Sequence, residues 1–173
     1  MHDPKHRINE YCTKTIGAIH LLSEENLYDH CLILIYSSID VLGLLNAEDD
    51  VPSANITTFK AWAKKYMKLD QLNITETDIY SARCGLLHTH TAQSNISKNK
   101  RAKELIYLLK KNESSQLQTI TKDPRMGDSH QYVYMDDLIN SLALGMTNFI
   151  KAVDQTNPAL IERTSRLLRC QKL

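Results

Sequence analysis

Apolar residues recur at helical spacing along most of this chain and divide it into a series of predicted helices. The first is predicted over residues 4–22, because Asp3 can cap its free amides and Pro4 fits its first position. The same pattern predicts further long helices over residues 26–45, 56–69, 75–88 and 136–153, and a shorter one over 158–168.

The predicted helix over residues 26–45 is apolar on nearly all sides, which is typical of a helix buried by its own protein or by a partner chain. Ser37 and Asp40 are polar exceptions one turn apart on one face. A buried carboxylate needs a partner, and Arg83 is a candidate partner for Asp40; the alternative is a partly exposed helix edge. The apolar run is too short and too interrupted to span a bilayer, so no membrane contact is predicted.

One region does not have a helical pattern throughout. Residues 101–110 fit either a helix or a buried strand, whereas Gln131–Met135 is a clear β-type run. We interpret both as strands that form a small β-hairpin at about residues 103–135. The predicted fold is therefore mainly α, a helical bundle with a β appendage, in a single domain over residues 1–173.

The composition is that of an ordinary soluble protein, since 42% of the 173 residues are hydrophobic and 24% are charged. The net charge of +1 neither indicates nor excludes a nucleic-acid surface. The four cysteines are widely spaced without a C-x-x-C pair, which favours reduced thiols over a zinc finger or a thioredoxin-type site. The polar N-terminus is not a signal peptide, so we expect a cytoplasmic protein, with no cofactor.

The candidate chemistry is concentrated in the stretch Tyr80–His90, which places Arg83, His88 and His90 within eight positions. Arginine offers five fixed donors that match phosphate oxygens, and histidine can transfer a proton near neutral pH. Together they suit metal-free cleavage of RNA, in which the ribose 2′-hydroxyl attacks the adjacent phosphate. The histidine would contribute about 10²–10⁴-fold as general acid or base. The arginine would stabilise charge on the phosphoryl oxygens.

The spacing of these residues constrains how they can meet. In a continuous helix Arg83 and His90 share a face, whereas Arg83 and His88 diverge by roughly 140°. Arg83 and His88 can meet because arginine is long, because the helix ends near His88, or because a second chain completes the site. This split geometry, together with the apolar second helix, predicts a two-fold dimer.

The residues from Arg83 to His88 fit the R-x4-6-H signature and so resemble HEPN domains, the higher-eukaryote and prokaryote nucleotide-binding superfamily. An apolar helix precedes the motif at about the distance found in that family, and the resemblance covers roughly residues 5–155 as a pattern. It implies a helical bundle that dimerises, and a metal-independent endoribonuclease whose composite cleft leaves a 2′,3′-cyclic phosphate and a 5′-hydroxyl. It also implies a toxin or defence role, with RNA or nucleotide as ligand and a protein antitoxin as a candidate partner.

Carried over residue by residue, the resemblance implies that Arg83 stabilises the phosphate and that His88 is the acid-base residue. The family arginine is often followed by a polar residue, where this chain has Cys84. Some toxin members carry a modifiable tyrosine two positions after the motif histidine, where this chain has His90. The candidate binding residues around the pair are His90, Cys84, Asp40 and Ser37.

Other interpretations of the same residues stay open. His88 and His90 could begin a metal site, although no matching carboxylate or cysteine pattern stands nearby. Cys84 and His88 could form a thiol–imidazole pair, or Cys84 could be a small core residue. Arg83 could form a salt bridge to Asp40 or Asp78, with His88 capping the helix. The corresponding functional alternative is a non-catalytic helical module that binds nucleotide, RNA or a protein.

Overall fold

The computed structural model describes residues 3–89, 91, 94–99, 101–109 and 129–167. Within these residues the chain is mainly helical with one small two-stranded sheet, which confirms the predicted mainly-α class. The helices are α1 (Pro4–Glu24), α2 (Tyr28–Leu45), α3 (Ile56–Tyr66), a 3-10 turn (Asp70–Leu72), α4 (Glu76–Thr89), α5 (Asn95–Lys98), α6 (Met135–Ala152) and α7 (Pro158–Leu167). The strands are β1 (Glu104–Leu108) and β2 (His130–Tyr134).

The chain forms two compact units, one made of Met1–Met67 with Leu142–Leu173 and the other of Lys68–Ser141. The first unit contains α1, α2, α3 and α7, together with the part of α6 that follows Ser141. The second unit contains α4, α5 and the two strands. The expectation of a single domain over residues 1–173 stays a prediction.

Helix α2 is the central element of the first unit and packs against α1, α3 and α7. Its close approach to α3 depends on Gly43, because a Cβ there would lie only 2.7 Å from the carbonyl oxygen of Thr58. By length and composition α2 could also cross a membrane, but half of it is buried inside the protein, which favours a core helix.

Aromatic side chains complete this core where α3 meets α6. The ring centroids of Trp62 and Tyr66 are 5.6 Å apart, and the Phe149 ring lies edge-on to both. Trp62 is fully buried, and Asn148 on α6 donates to the carbonyl oxygen of Tyr66 at 3.4 Å. Edge-to-face aromatic pairs of this kind stabilise a core beyond the area they bury.

Helix starts follow their predicted capping signals. The Asp3 side chain accepts a hydrogen bond from the Lys5 amide at 2.9 Å, with Pro4 at the first position of α1. At the start of α4 the Thr75 amide donates to Asp78 while the Asp78 amide donates to the Thr75 hydroxyl, a reciprocal capping box. The predicted Asp3 cap is confirmed, and the capping box at Thr75 fixes the helix that carries the candidate chemistry.

The predicted β-hairpin is wrong in its geometry, although both predicted strands are present. β1 and β2 run parallel, with Glu104 opposite His130 and Leu108 opposite Tyr134. Parallel neighbours cannot be joined by a tight turn, because the chain must return to the same end of the sheet through a crossover of about a dozen residues or more. The long connection between residues 109 and 129 provides that length.

Candidate functional site

Helix α4 carries the predicted motif in the second unit. Its inner face is formed by Ile79, Ser81 and Ala82, which are buried. Arg83 is half-buried and His88 is exposed, so the side chains of the motif project towards solvent rather than into the packed face of the helix. The capping box at the start of α4 and the packing of this inner face together fix the helix from which both side chains project.

The structure brings Arg83 and His88 together within one chain. The Arg83 guanidinium nitrogen Nη1 lies 3.1 Å from Nε2 of His88. An arginine can only donate, so Nε2 is the acceptor in this contact and the imidazole proton is assigned to Nδ1. α4 ends at Thr89, directly after His88, so two of the three arrangements left open by the sequence, the reach of the long arginine and the nearby helix end, are both observed. The contribution of a second chain stays a prediction.

The aromatic ring of Tyr80 lies beside the same guanidinium. The Arg83 Cζ atom is 5.9 Å from the centroid of the Tyr80 ring, one helical turn earlier. A cation near the face of a ring is attracted by its quadrupole, by about 0.5–1 kcal/mol at a partly exposed position. Tyr80 and His88 therefore flank Arg83 along the surface of α4.

A short helix that was not predicted from the sequence, α5, lies beside the helix that carries the motif. α5 begins at Ser94, whose hydroxyl accepts from the amides of Ile96 and Ser97, and the Ser97 hydroxyl accepts from the Ser94 amide. Buried Ser81 on α4 contacts Ser94 through their hydroxyl oxygens at 2.6 Å. The only sequence signal for α5 is the pair of serines three apart, since four residues are too few for apolar periodicity.

Thr91, which lies between the two helices, is also hydrogen-bonded back to α4. The amide of Thr91 donates to the carbonyl oxygen of Gly85 at 3.2 Å, which satisfies a carbonyl near the helix end. Gly85 itself is buried on the face of α4 that also carries Ser81. These contacts hold α5 beside the end of α4 that bears His88.

A cleft of about 390 Å³ opens where α4 and α5 meet. This volume lies within the range of sites that take small molecules, about 300–1,000 Å³. None of the described residues that line it is acidic. They are Cys84, His88, Thr91, Ser94, Asn95, Ile96 and Lys98.

The remaining predicted site residues have different positions. Cys84 is half-buried and lines the cleft beside His88, and its role in binding stays a prediction. His90 lies outside the described residues. Ser37 and Asp40 lie on α2 in the first unit, where the Ser37 hydroxyl donates to the carbonyl oxygen of Leu34 at 3.2 Å. The pairing of Asp40 with Arg83 stays a prediction.

The alternative ion pair between Arg83 and Asp78 is disfavoured by the role of this carboxylate. One oxygen of Asp78 accepts from the amide and hydroxyl of Thr75, and the other accepts from the Lys103 amide at 2.6 Å. Asp78 is buried and links the start of α4 to the start of β1. Its contacts are those of a structural cap.

Within the part of the chain that is described, no group of three or more His, Cys, Asp or Glu residues could hold a metal ion. Because His90 is not described, the pair His88-x-His90 is not tested by this finding.

Comparison with models of protein families gives no match to this chain, and comparisons with curated proteins and with solved structures give none either.

Proposed function

We propose that this protein is a metal-independent endoribonuclease of HEPN type that works as a homodimer. The observation that carries the proposal is the 3.1 Å contact between Arg83 and His88, where His88 also lines a cleft whose described lining has no acidic residue. A guanidinium for the phosphate and an imidazole for the proton are the two groups that 2′-hydroxyl attack requires.

The mechanism begins with an exchange of partners at Arg83. An RNA phosphate draws the guanidinium away from His88, because a charge-assisted hydrogen bond to an anion is stronger than one to a neutral imidazole. Nε2 of His88 is then left with a lone pair that faces the substrate. Arg83, which had been hydrogen-bonded to the nitrogen that acts as the base, thus becomes the group that stabilises the phosphoryl charge.

Proton transfer then completes the reaction. Nε2 of His88 takes the proton of the ribose 2′-hydroxyl, and the 2′-oxygen bonds to phosphorus while the bond from phosphorus to the 5′-oxygen breaks. The leaving 5′-oxygen takes a proton from His88 of the second copy, which solvent protonates at Nε2 after its own Arg83 has moved away. The first His88 then returns its proton to solvent. The products are a 2′,3′-cyclic phosphate and a 5′-hydroxyl, and no water, metal ion or cofactor is consumed.

The dimer is part of the proposal because one chain contributes one motif histidine, whereas this mechanism uses a base and an acid. Apolar residues that are only half-buried on α2, including Ile33, Leu34 and Val41, support a second copy as the cover for this helix. We place the protein in the cytoplasm, as a toxin or defence effector controlled by a protein antitoxin. Sedimentation that shows only monomer at micromolar concentration would count against the composite site.

The second candidate function is a non-catalytic module that binds RNA, nucleotide or a protein through the same surface. Cys84 favours it, because a thiol stands directly after Arg83 where HEPN ribonucleases often have a polar residue. The two functions differ in turnover alone, so a cleavage assay separates them.

The test is incubation of the purified protein with a broad panel of single-stranded and structured RNAs in EDTA. We expect cleavage by the wild type, and a loss of at least a hundredfold in Arg83→Ala and His88→Ala. Matched controls are Arg166→Ala and His30→Ala, which remove exposed side chains of the same types from the first unit. Cleavage that persists in both motif variants contradicts the proposal, and no cleavage by the wild type favours the binding module.

A further inference from the structure

The cleft beside His88 has a composition that the Arg83–His88 chemistry does not explain. Its lining includes the ammonium group of Lys98, the side-chain amide of Asn95 and the hydroxyl of Thr91. Ile96 adds an apolar surface. Among the described lining residues no carboxylate balances the charge of Lys98, so the cleft is suited to an anion that also carries hydrogen-bonding groups and an apolar face.

Hydrogen bonds fix the elements that line the cleft, so it is a defined part of the structure rather than a chance hollow in the surface. The 2.6 Å contact between the buried hydroxyls of Ser81 and Ser94 fixes the start of α5 against α4. The capping box of Ser94 and Ser97 holds the turn that presents Asn95 and Lys98. Arg101 donates its amide to the carbonyl oxygen of Ile96 at 3.1 Å, which secures the other end of the turn.

We propose that this cleft binds an unpaired nucleotide of single-stranded RNA next to the scissile phosphate, with Lys98 contacting the neighbouring phosphodiester. This inference rests on the proposed function, because it places the cleavage position between Arg83 and the cleft. Ile96 packs against the face of the base, while the Asn95 amide donates and accepts at its edge. A base whose edge is read in this way must be unpaired, so duplex RNA is excluded.

The predicted roles differ between Lys98 and the catalytic pair. Lys98 binds substrate without taking part in proton transfer, so Lys98→Ala should raise KM by about tenfold with little change in kcat. Loss of one phosphate contact should also reduce the slope of log affinity against log salt by about 0.7, the value for single strands. Lys98→Arg, which keeps the charge, should restore most of the binding.

The experiment uses the thiol of Cys84 as a reporter inside the cleft. In a Cys170→Ser background, alkylation of Cys84 by iodoacetamide is followed by mass spectrometry with and without a 2′-O-methyl oligoribonucleotide, which cannot be cleaved. We expect the single-stranded oligonucleotide to slow alkylation of Cys84 at least fivefold in the wild type and less than twofold in Lys98→Ala. Lys151→Ala, which removes an exposed lysine from the first unit, should retain full protection.

Further arms identify the ligand and separate the two proposals. Inorganic phosphate should protect only weakly, since it lacks a base, and a 2′-O-methyl duplex should not protect. Equal protection by the duplex, or full protection in Lys98→Ala with an unchanged melting temperature, overturns the subsite. Protection without any cleavage by the wild type supports the subsite and removes the catalytic function. Cleavage that depends on Arg83 and His88 but not on Lys98, with Cys84 unprotected, supports the catalytic function and overturns the subsite.

Discussion

Nη1 of Arg83 lies 3.1 Å from Nε2 of His88, although the two residues are five apart on one continuous helix. Their Cα–Cβ directions diverge by roughly 140°, so the contact depends on the length of the arginine side chain. In this arrangement the arginine occupies the nitrogen that would act as the base. Under the proposed function, the site is at rest until an anion draws the guanidinium away.

Tyr80 is expected to tune the position of Arg83 through its ring, which lies 5.9 Å from the guanidinium carbon. Tyr80→Leu removes the ring and should lower kcat/KM for RNA cleavage about two- to fivefold, the equivalent of 0.5–1 kcal/mol. Tyr80→Phe keeps the ring and should behave as the wild type. An equal loss in both variants would show that the hydroxyl, rather than the ring, is what matters.

Gly43 is expected to limit the packing of α2 against α3. In Gly43→Ala the new Cβ would lie 2.7 Å from the carbonyl oxygen of Thr58, so the helices must separate and the unfolding free energy should fall by about 1–3 kcal/mol. Gly17→Ala is the matched control, since nothing lies within 4 Å of its Cβ and alanine favours a helix by about 0.5–1 kcal/mol.

The measurement for both glycine variants is urea unfolding followed by tryptophan fluorescence. Trp62 is the single tryptophan of the chain and is fully buried in the first unit. The expected result is a lower midpoint for Gly43→Ala and an equal or higher one for Gly17→Ala. A wild-type midpoint in Gly43→Ala would show that the two helices can separate without loss.

Arg163 on α7 is expected to be a major stabilising residue of the first unit. Its guanidinium donates to backbone carbonyl oxygens at the end of α2 and in the loop that follows, namely those of Leu44, Ala47, Glu48, Asp49 and Val51. Arg163→Ala removes these five hydrogen bonds, although the Leu44 and Glu48 carbonyls keep backbone donors, and should lower the unfolding free energy by about 3 kcal/mol. The unfolding free energy of Arg163→Lys should lie between those of the wild type and Arg163→Ala, because an ammonium cannot reach all five carbonyl oxygens.

The control for Arg163 lies on the same helix. Arg166 is exposed and pairs with Glu162 one turn earlier, so Arg166→Ala should leave the urea midpoint unchanged. A similar loss of stability in both variants would assign the effect of Arg163 to α7 as a whole rather than to the carbonyl contacts.

The thiols should differ sharply in reactivity. Burial raises the pKa of Cys12 to about 12 and that of Cys31 to about 11, so neither forms thiolate at pH 8.5 in the folded protein. Cys84 is half-buried and lines the cleft. In a Cys170→Ser background, alkylation at pH 8.5 should modify Cys84 first and reach Cys12 and Cys31 only after urea unfolding. Prior labelling of Cys12 would contradict its burial.

The same pKa shifts predict how stability depends on pH. A thiol whose pKa is raised by folding from 9.0 to about 12 binds its proton more tightly in the folded state. Its contribution is fully present below pH 9 and is lost as the pH rises towards 12, because the unfolded chain ionises first. The urea midpoint should therefore fall between pH 9 and 11, less steeply in Cys12→Ala. If the urea midpoint falls with pH at the same slope in the wild type and in Cys12→Ala, this contribution is ruled out.

Local signals were enough to predict most of the helices. Periodicity and capping residues gave α1 and α4 to within two residues at their starts and ends, because the bonds of a helix lie within a few positions of one another. The end of α3 was predicted three residues late, at 69 instead of Tyr66. There the backbone becomes extended at Met67, and no glycine or proline in the sequence signals that change.

Non-local relationships could not be predicted in the same way. β1 and β2 were identified from their composition, but their parallel pairing depends on the path of the long connection, which composition does not specify. The part of the cleft lining that α5 supplies was missed for a similar reason. It requires Ser81 to meet Ser94 across thirteen positions, and neither residue carries a signal for the other.

The most direct test of the central claim is the chemistry of the RNA ends produced in EDTA. Arg83 and His88 acting together predict a 2′,3′-cyclic phosphate and a 5′-hydroxyl, with both ends absent from the products of Arg83→Ala and His88→Ala. Products with a 5′-phosphate and a 3′-hydroxyl, or cyclic ends that persist in either variant, would contradict the assignment of this pair as the catalytic centre.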